Sequence, residues 1–545
     1  MPSGKFQNLP AISGGILVFL AALSIYLATI APTLSWGRDQ MGVDGGDLLA
    51  AVETLGIPHP SGYPTYVIAL KLFATVVPVG DLAFRGNLFS ALLSAGTALL
   101  IYMVILRTSY LVLPSCPAYL RIFSGLIGAI SFAATPLFWS QAIITEVYAL
   151  NAFFSAALVL LACFLHGSTH EKAESSLNSN KILLILFAFV AGISAGNHLT
   201  ILSLTVPLVI LLWSDLGRSR LLSFPVIISL IVGLSVYLYL PLRAAQHPAI
   251  NWGDAASVGG IFWMTTASMY QEYVFGVGWE DLPDRLFSWV EITFQQFNPL
   301  GLFMGLLGLH WSFLKLRKYT IALLVPMVWL TIFSVSYRTF DAQVLMVVPF
   351  LLFSGFVGLG VLRSLSSIQE AFTGWQGSPT NQNGVRGNFA AGILVGLLGL
   401  VVIAVLPGTL VGLNFNDQNL RDNRDAYTHA QNRLEGVIGG SVILLKAEQD
   451  VFPVWYMTYV EETDSDLAPI AVRLLGYEWY REHINRLYPL RVPSSLSQDV
   501  SLAIEDLVGH NRGIGRQVYF SYWQPSINEV FELEKAGMNW RALLK

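Results

Sequence analysis

AISGGILVFLAALSIYLATIA occupies residues 11–31, and VDGGDLLAAVETLGIPHPSGYPTY follows at 43–66. The first stretch carries no charge and has the length, about 20 residues, that crosses the hydrocarbon core of a bilayer. It exceeds a signal-peptide core of about 7–15 residues, so it reads as a retained helix. The second stretch places Asp44, Asp47, Glu53 and His59 where the chain leaves the bilayer. Ionisable groups are costly at that depth and mark sites of function.

The rest of the composition agrees. Of 545 residues, 54% are hydrophobic and 12% charged, against about 25% charged in a soluble domain. Mean hydropathy is +0.58. This is a polytopic α-helical membrane protein. A net charge of -4 with no basic cluster excludes a nucleic-acid partner. Two cysteines, Cys116 and Cys163, cannot form a disulfide framework. With no CxxC or HExxH spacing, no structural metal is expected.

Further apolar runs place spans near 84–106, 122–138, 146–166, 182–196, 198–213, 221–241, 298–314, 319–337, 342–362 and 389–409. With the first, that makes about eleven transmembrane helices. The run 181–213 is too long for one span and short for two, with GNH at 196–198 as its break. Arg107, Arg121, Arg218, Arg220, Lys315, Arg317, Lys318 and Arg363 all fall in alternate short loops. Lys and Arg resist translocation, so these loops and the N-terminus are cytoplasmic.

Two outer loops are long, 32–83 and 242–297, and both carry apolar or aromatic segments suited to lying at the interface. The stretch 363–388 resembles a polar linker on the inner side. From about residue 411 the composition becomes that of a small soluble α/β domain, with strand-like SVILLKA, APIAVRLL and RQVYFSY among helical segments. The organisation expected is a transmembrane catalytic domain over 1–410 and an extracytoplasmic domain over 411–545.

This topology brings the conspicuous polar residues to one face. They are Asp44, Asp47, His59 and Tyr63 from the first outer loop, and Gln141, Glu146, Tyr148 and Asn151 from FWSQAIITEVYALN. Asn197 and His198 come from the hairpin, and Arg243, Trp252, Asp254 and Tyr270 from the second outer loop. Plainer roles exist for several. Asp47 suits a helix N-cap, Glu146 suits the positive end of a helix, and aromatic residues anchor at interfaces. Glu53 faces away from Asp47 on a helix and is a solvated charge. A carboxylate pair with an arginine at a lipid–water boundary suits glycosyl transfer. A carboxylate takes the proton of a hydroxyl acceptor, and Arg243 or Arg85 balances a departing phosphate.

TLSW…DGGDLLAAVETLGIPHPSGYPTY, GDLAFRGNLFSAL, FWSQAIITEVYALN, GNHLT and YLPLR…NWGD, in this order over residues 15–275, resemble the "domain of unknown function 2723" family. That family includes a transmembrane protein 260-like group and is similar to the protein O-mannosyltransferase branch of the GT-C glycosyltransferases. The resemblance implies a GT-C-like fold and a polyprenyl-phosphate-linked sugar donor. It also implies an active site on the non-cytoplasmic face with an essential aspartate in the first outer loop. Asp44 matches the first acid of the family's D-x-G-E pattern, Asp47 stands at its Glu position, and HPSGYP stands for HPPGYP. Asp44 is then the base, Asp47 or His59 orients it or the acceptor, and Arg243 meets the phosphate.

The expected activity is inverting transfer to a protein Ser/Thr or an envelope glycan or lipid, with Tyr63, Gln141, Glu146, Tyr148, Asn197, His198, Arg243, Trp252 and Asp254 lining the substrates. No cofactor is required and a divalent metal is not expected. The partners are the lipid-linked sugar, the acceptor and membrane lipid, in a prokaryotic plasma membrane. A transporter or flippase would string polar groups through the mid-bilayer, which this sequence does not. A non-catalytic scaffold would not need Asp44, Asp47 and Arg243.

Overall fold

In lipid every backbone N–H must bond within its own segment, so the apolar runs become helices. The computed structural model describes residues 9–168, 176–375, 382–463 and 466–543. Among these, eight helices are long and apolar enough to span: Leu9–Thr29, Leu82–Val112, Tyr148–Gly167, Phe224–Ala244, Leu282–Lys315, Arg317–Ser336, Ala342–Phe372 and Gly392–Gln418. The chain is an integral membrane protein. A ninth crossing is broken, with Ala118–Ala133 and Pro136–Ala142 meeting at 69°. Pro136 drives Thr135 into extended backbone there (ψ 131°).

The two helices around GNH, Asn180–Ala195 and Ile201–Leu216, are apolar but shorter than a full span. Counted by length, the described residues therefore hold eight or nine spans, against the expected eleven or so. Two loop expectations are also corrected. The segment 282–297 is not loop but the first half of helix Leu282–Lys315, which kinks at Asn298 (φ 49°, ψ 171°) before Pro299. The expected inner linker 363–388 is largely helix, because no proline lies between Arg363 and Trp375, so Val347–Trp375 runs on through it, and a new helix starts at Gln382. Residues 376–381 of that linker lie outside the described residues.

The first outer loop folds into two short helices, α1 (Gly45–Thr54) and α2 (Pro64–Val76). The second outer loop joins it through a strip of parallel backbone pairing. Ile57 N–H donates to Ile250 O at 2.8 Å, and Trp252 N–H to Ile57 O at 3.1 Å. Farther along, Phe262, Phe275 and Trp279 are exposed, as residues at a lipid interface are.

Beyond the last span the chain builds a five-stranded sheet. Its strands are β1 (Val442–Leu445), β2 (Ala468–Ala471), β3 (Val518–Phe520), β4 (Glu532–Ala536) and β5 (Asn539–Leu543). The order is β2-β1-β3-β5-β4. β1 runs parallel to β2 and β3, while β5 runs antiparallel to β3 and β4. Val442–Leu445 is buried throughout, as a central parallel strand covered on both faces must be. Between β1 and β2 lies helix α3 (Glu448–Tyr459).

This sheet domain is not suspended from the membrane by a tether. Leu48, Leu49, Val52 and Ile57 of the outer loop share one apolar core with Val442, Leu444, Phe452 and Phe520. The two glycines of DGGD make the approach possible. A Cβ on Gly46 would lie 2.3 Å from the Phe452 carbonyl oxygen of α3, and one on Gly45 3.3 Å from that of Thr145 in the bundle. The first turn of α1 is thus clamped between the membrane helices and the C-terminal domain.

Candidate active site at the mouth of the bundle

Asp44 is the N-cap residue of α1 but makes no side-chain cap bond; its carboxylate is left free to act elsewhere. Asp47, one turn on, is fully buried, and both its oxygens are occupied. Oδ2 accepts from His59 Nδ1 at 2.8 Å and from the His59 backbone N–H at 2.9 Å. Oδ1 accepts from Trp252 Nε1 at 3.0 Å. The N-cap reading of Asp47 therefore does not hold. It is the buried anchor that fixes the imidazole and ties the two outer loops together.

Anchored through Nδ1, His59 turns Nε2 outward. There it lies 3.5 Å from Asp44 Oδ2 and 3.1 Å from the Tyr63 hydroxyl. Tyr63 sits in left-handed backbone (φ 40°), a conformation that costs a non-glycine residue on the order of 1 kcal/mol or more and persists where surrounding contacts impose it. Those contacts are the His59 bond and the stacking of its ring on His198, centroids 6.2 Å apart. His198 in turn meets Tyr148 at 5.5 Å.

The electrostatics set opposite roles for the two ionisable partners. Asp44 keeps 36% of its side chain accessible. Burial raises its pKa; His59 opposes, Glu448, Asp341 and Asp47 add, and the result is about 7. Burial works against charge on His59, but Asp44 and the hydrogen bond and charge of Asp47 outweigh it, giving about 9. His198 is lowered to about 4 by burial and by the His59 charge. Burial also pushes Glu146 well up, with the Asp44 charge adding. Near neutrality the centre thus holds a carboxylate poised to take a proton beside a fixed imidazolium.

The other expected residues divide into those at this centre and those away from it. Tyr63, Trp252, His198, Tyr148 and, through its charge, Glu146 belong to it. Asn197 supports it indirectly, donating to Val147 O at 3.2 Å. Gln141 is fully buried and donates through Nε2 to its neighbour Ser140; it is part of the bent crossing. Asp254 turns toward the C-terminal domain, where its charge acts on His483.

Arg243 is displaced from the expected phosphate role. Its guanidinium donates to the carbonyls of Leu55 and, at 3.1 Å, Thr54. These lie at the C-terminal end of α1, about 15 Å along the helix from Asp44. It satisfies carbonyls that a helix end leaves open. Arg85 does the same for α2, bonding Ala74 O at 2.9 Å. Glu53 pairs with Lys71 at 3.0 Å on the surface, as expected of a solvated charge.

Two acids were missed. Asp341, whose charge acts on Asp44 and Glu146, lies in SYRTFDAQ between two spans on the same side as Asp44, and the topology rule applied to Asp44 would have found it. Glu448 comes from α3, some four hundred positions away in sequence, and nothing local marks it. Nearby, Tyr270 stands 6.4 Å from His59 and from Tyr273, and the Arg338 guanidinium lies over Tyr273 at 5.9 Å.

Residues 44–218 match the family described as the protein O-mannosyl-transferase TMEM260 N-terminal domain. The match starts at Asp44. The chain is 22% identical over 499 residues to "Protein O-mannosyl-transferase tmem260" of Dictyostelium discoideum, across 86% of this chain and 58% of that protein. It is 23% identical over 515 residues to the Mus musculus TMEM260 protein of the same description, across 88% and 65%. The chain thus spans less than two thirds of the length of these relatives. Both are eukaryotic, so the expected prokaryotic membrane has no support from them.

Among solved structures, ArnT from Cupriavidus metallidurans bound to undecaprenyl phosphate superposes with a TM-score of 0.51 at 10% identity, covering 99% of this chain and 98% of that one. The archaeal oligosaccharyltransferase AglB from Archaeoglobus fulgidus, in complex with an inhibitory peptide and a dolichol-phosphate, gives 0.50 at 10% identity, covering 95% and 70%. Over residues 44–218 the chain is similar to the TMEM260 N-terminal domain, and its fold is similar to the GT-C fold of these solved membrane proteins.

Proposed function

We propose that this chain is a membrane glycosyltransferase that moves a sugar, mannose by the description of its relatives, from a polyprenyl phosphate to a Ser or Thr hydroxyl of a protein. The observation that carries this reading is the chain Asp47–His59–Asp44 at the mouth of the bundle, inside the segment that matches the family. Asp44 takes the proton of the acceptor O–H. The acceptor oxygen bonds to the anomeric carbon while the bond from that carbon to the phosphate oxygen breaks, and its electron pair leaves with the lipid phosphate. Attack opposite the leaving group inverts the anomeric centre.

The phosphate gains negative charge in this step, and a cation beside it lowers the barrier. With Arg243 and Arg85 committed to helix ends, Arg338 takes this role. It is exposed and reached from His59 through Tyr270 and Tyr273. His59 and Arg338 together supply positive charge without a resident metal. The last span ends at Gln418, so the acceptor-side domain follows it, a few residues beyond the expected boundary at 410.

Membranes containing the chain, supplied with labelled polyprenyl-phosphate mannose and a Ser/Thr peptide, are expected to label the peptide, and EDTA is expected to leave the rate unchanged. An unlabelled peptide overturns the reading, and loss of labelling in EDTA overturns metal independence. The Lys and Arg bias puts the N-terminus in the cytoplasm and the site outside it. A reporter joined after Leu420 is then active only outside the cytoplasm; activity inside reverses the orientation.

A further inference from the structure

Positions four and seven apart on a helix share a face, so α3 presents Glu448, Phe452 and Trp455 together. Phe452 stacks on His59, centroids 6.4 Å apart and planes 18° apart, and Trp455 meets Trp252 at 6.2 Å. His59 and Trp252 are the two side chains that Asp47 holds. Glu448 stands one turn, about 5.4 Å along the axis, before Phe452 on that same face. It is exposed, and among the described residues no group hydrogen bonds to its carboxylate. The charged and titratable groups that face it are His59, Arg473, Asp341, Asp47, Asp44 and Tyr270.

The side on which Glu448 stands is informative. Gly45 of α1 faces the bundle at Thr145, while Gly46 faces α3 at Phe452. A lipid-linked donor keeps its tail in the bilayer and enters from the bundle side. What reaches Asp44 from the Glu448 side enters from water, and under the transfer reading above that is the acceptor. A carboxylate without a partner, beside the base, suits an O–H or N–H donor.

We propose that Glu448, carried by the C-terminal domain on the α3 face that packs against His59, is a positioning residue that accepts a hydrogen bond from the acceptor polypeptide next to its reacting hydroxyl. The proposal rests on the glycosyl-transfer reading and adds that the C-terminal domain completes the site. A hydrogen bond to a charged group is worth about 1.5–3 kcal/mol, which converts to about a 10- to 150-fold effect.

Glu448→Gln is therefore expected to raise the acceptor KM by about tenfold or more while leaving the donor KM unchanged. It also removes a negative neighbour that favours protonated Asp44, so the pH midpoint of Asp44 protonation falls below about 7. That midpoint is read without any transfer, from the pH dependence of Asp44 esterification by a diazo reagent, followed by peptide mass spectrometry. A structural role alone would not move it. Wild-type transfer with an unchanged acceptor KM in Glu448→Gln overturns the positioning role. An unchanged midpoint overturns the placement of Glu448 near Asp44. Absence of wild-type transfer, by contrast, sinks the glycosyl-transfer reading and the acceptor role with it, whatever the midpoint does.

Discussion

Asp44→Asn is expected to lower kcat by about 10²- to 10⁴-fold, the range that a positioned general base contributes, with expression and thermal unfolding unchanged. The amide is nearly isosteric and Asp44 makes no cap bond, so α1 keeps its start; the lost charge lets the His59 pKa fall, which moves the alkaline limb of any residual activity to lower pH. The pH profile of the wild type gives the same test a second dimension. Asp44 works once deprotonated and is held at about 7, so kcat/KM rises through neutrality. His59 works while protonated and is held at about 9, so activity falls again at higher pH. The two groups interact, and the limbs belong to the pair. In Asp44→Asn the acidic limb disappears from the residual activity. Transfer at wild-type rates in that variant would remove Asp44 from the mechanism.

Asp47→Ala carries the largest expected loss of stability. Three buried donors, His59 Nδ1, the His59 backbone N–H and Trp252 Nε1, lose their acceptor together. Breaking a buried charged pair from one side costs about 3–5 kcal/mol. The loss appears as a lowered denaturation midpoint of the purified protein in detergent. It also reaches function. Asp47 contributes to holding His59 charged, so any remaining activity falls off at lower pH than the wild type's. Glu53→Ala provides the contrast, since its pair with Lys71 is exposed and such pairs are worth about 1 kcal/mol or less. Equal losses in the two variants would mean that Asp47 anchors nothing.

Asp47 also shows how the site has two kinds of legibility. That Asp44, Asp47 and His59 matter could be argued from position, because charge at a membrane boundary is rare and costly. Which of them is the buried anchor and which keeps an accessible carboxylate could not. Both aspartates precede or open the same helix, and only the fold of HPSGYP back over α1, together with Trp252 arriving from 205 positions away, distinguishes them. Arg243 is the converse case. Its residue type suggested a phosphate, but its partners are the carbonyls of Leu55 and Thr54. Backbone carbonyls carry no signature in the sequence, so a capping arginine and a ligand-binding arginine look alike until the chain is folded.

The sequence by itself determined what lipid enforces. Long charge-free runs must be helices, and the acids of the loop over residues 43–66 stand out at the end of the first of them, because each of these follows from local composition and the cost of burying polar groups. Tertiary structure alone decided which distant segments close over that loop. The docking of α3 on Gly46, the arrival of Glu448 beside Asp44 and the stacking of Phe452 on His59 depend on shape complementarity between segments some four hundred residues apart. No periodicity within either segment records that fit.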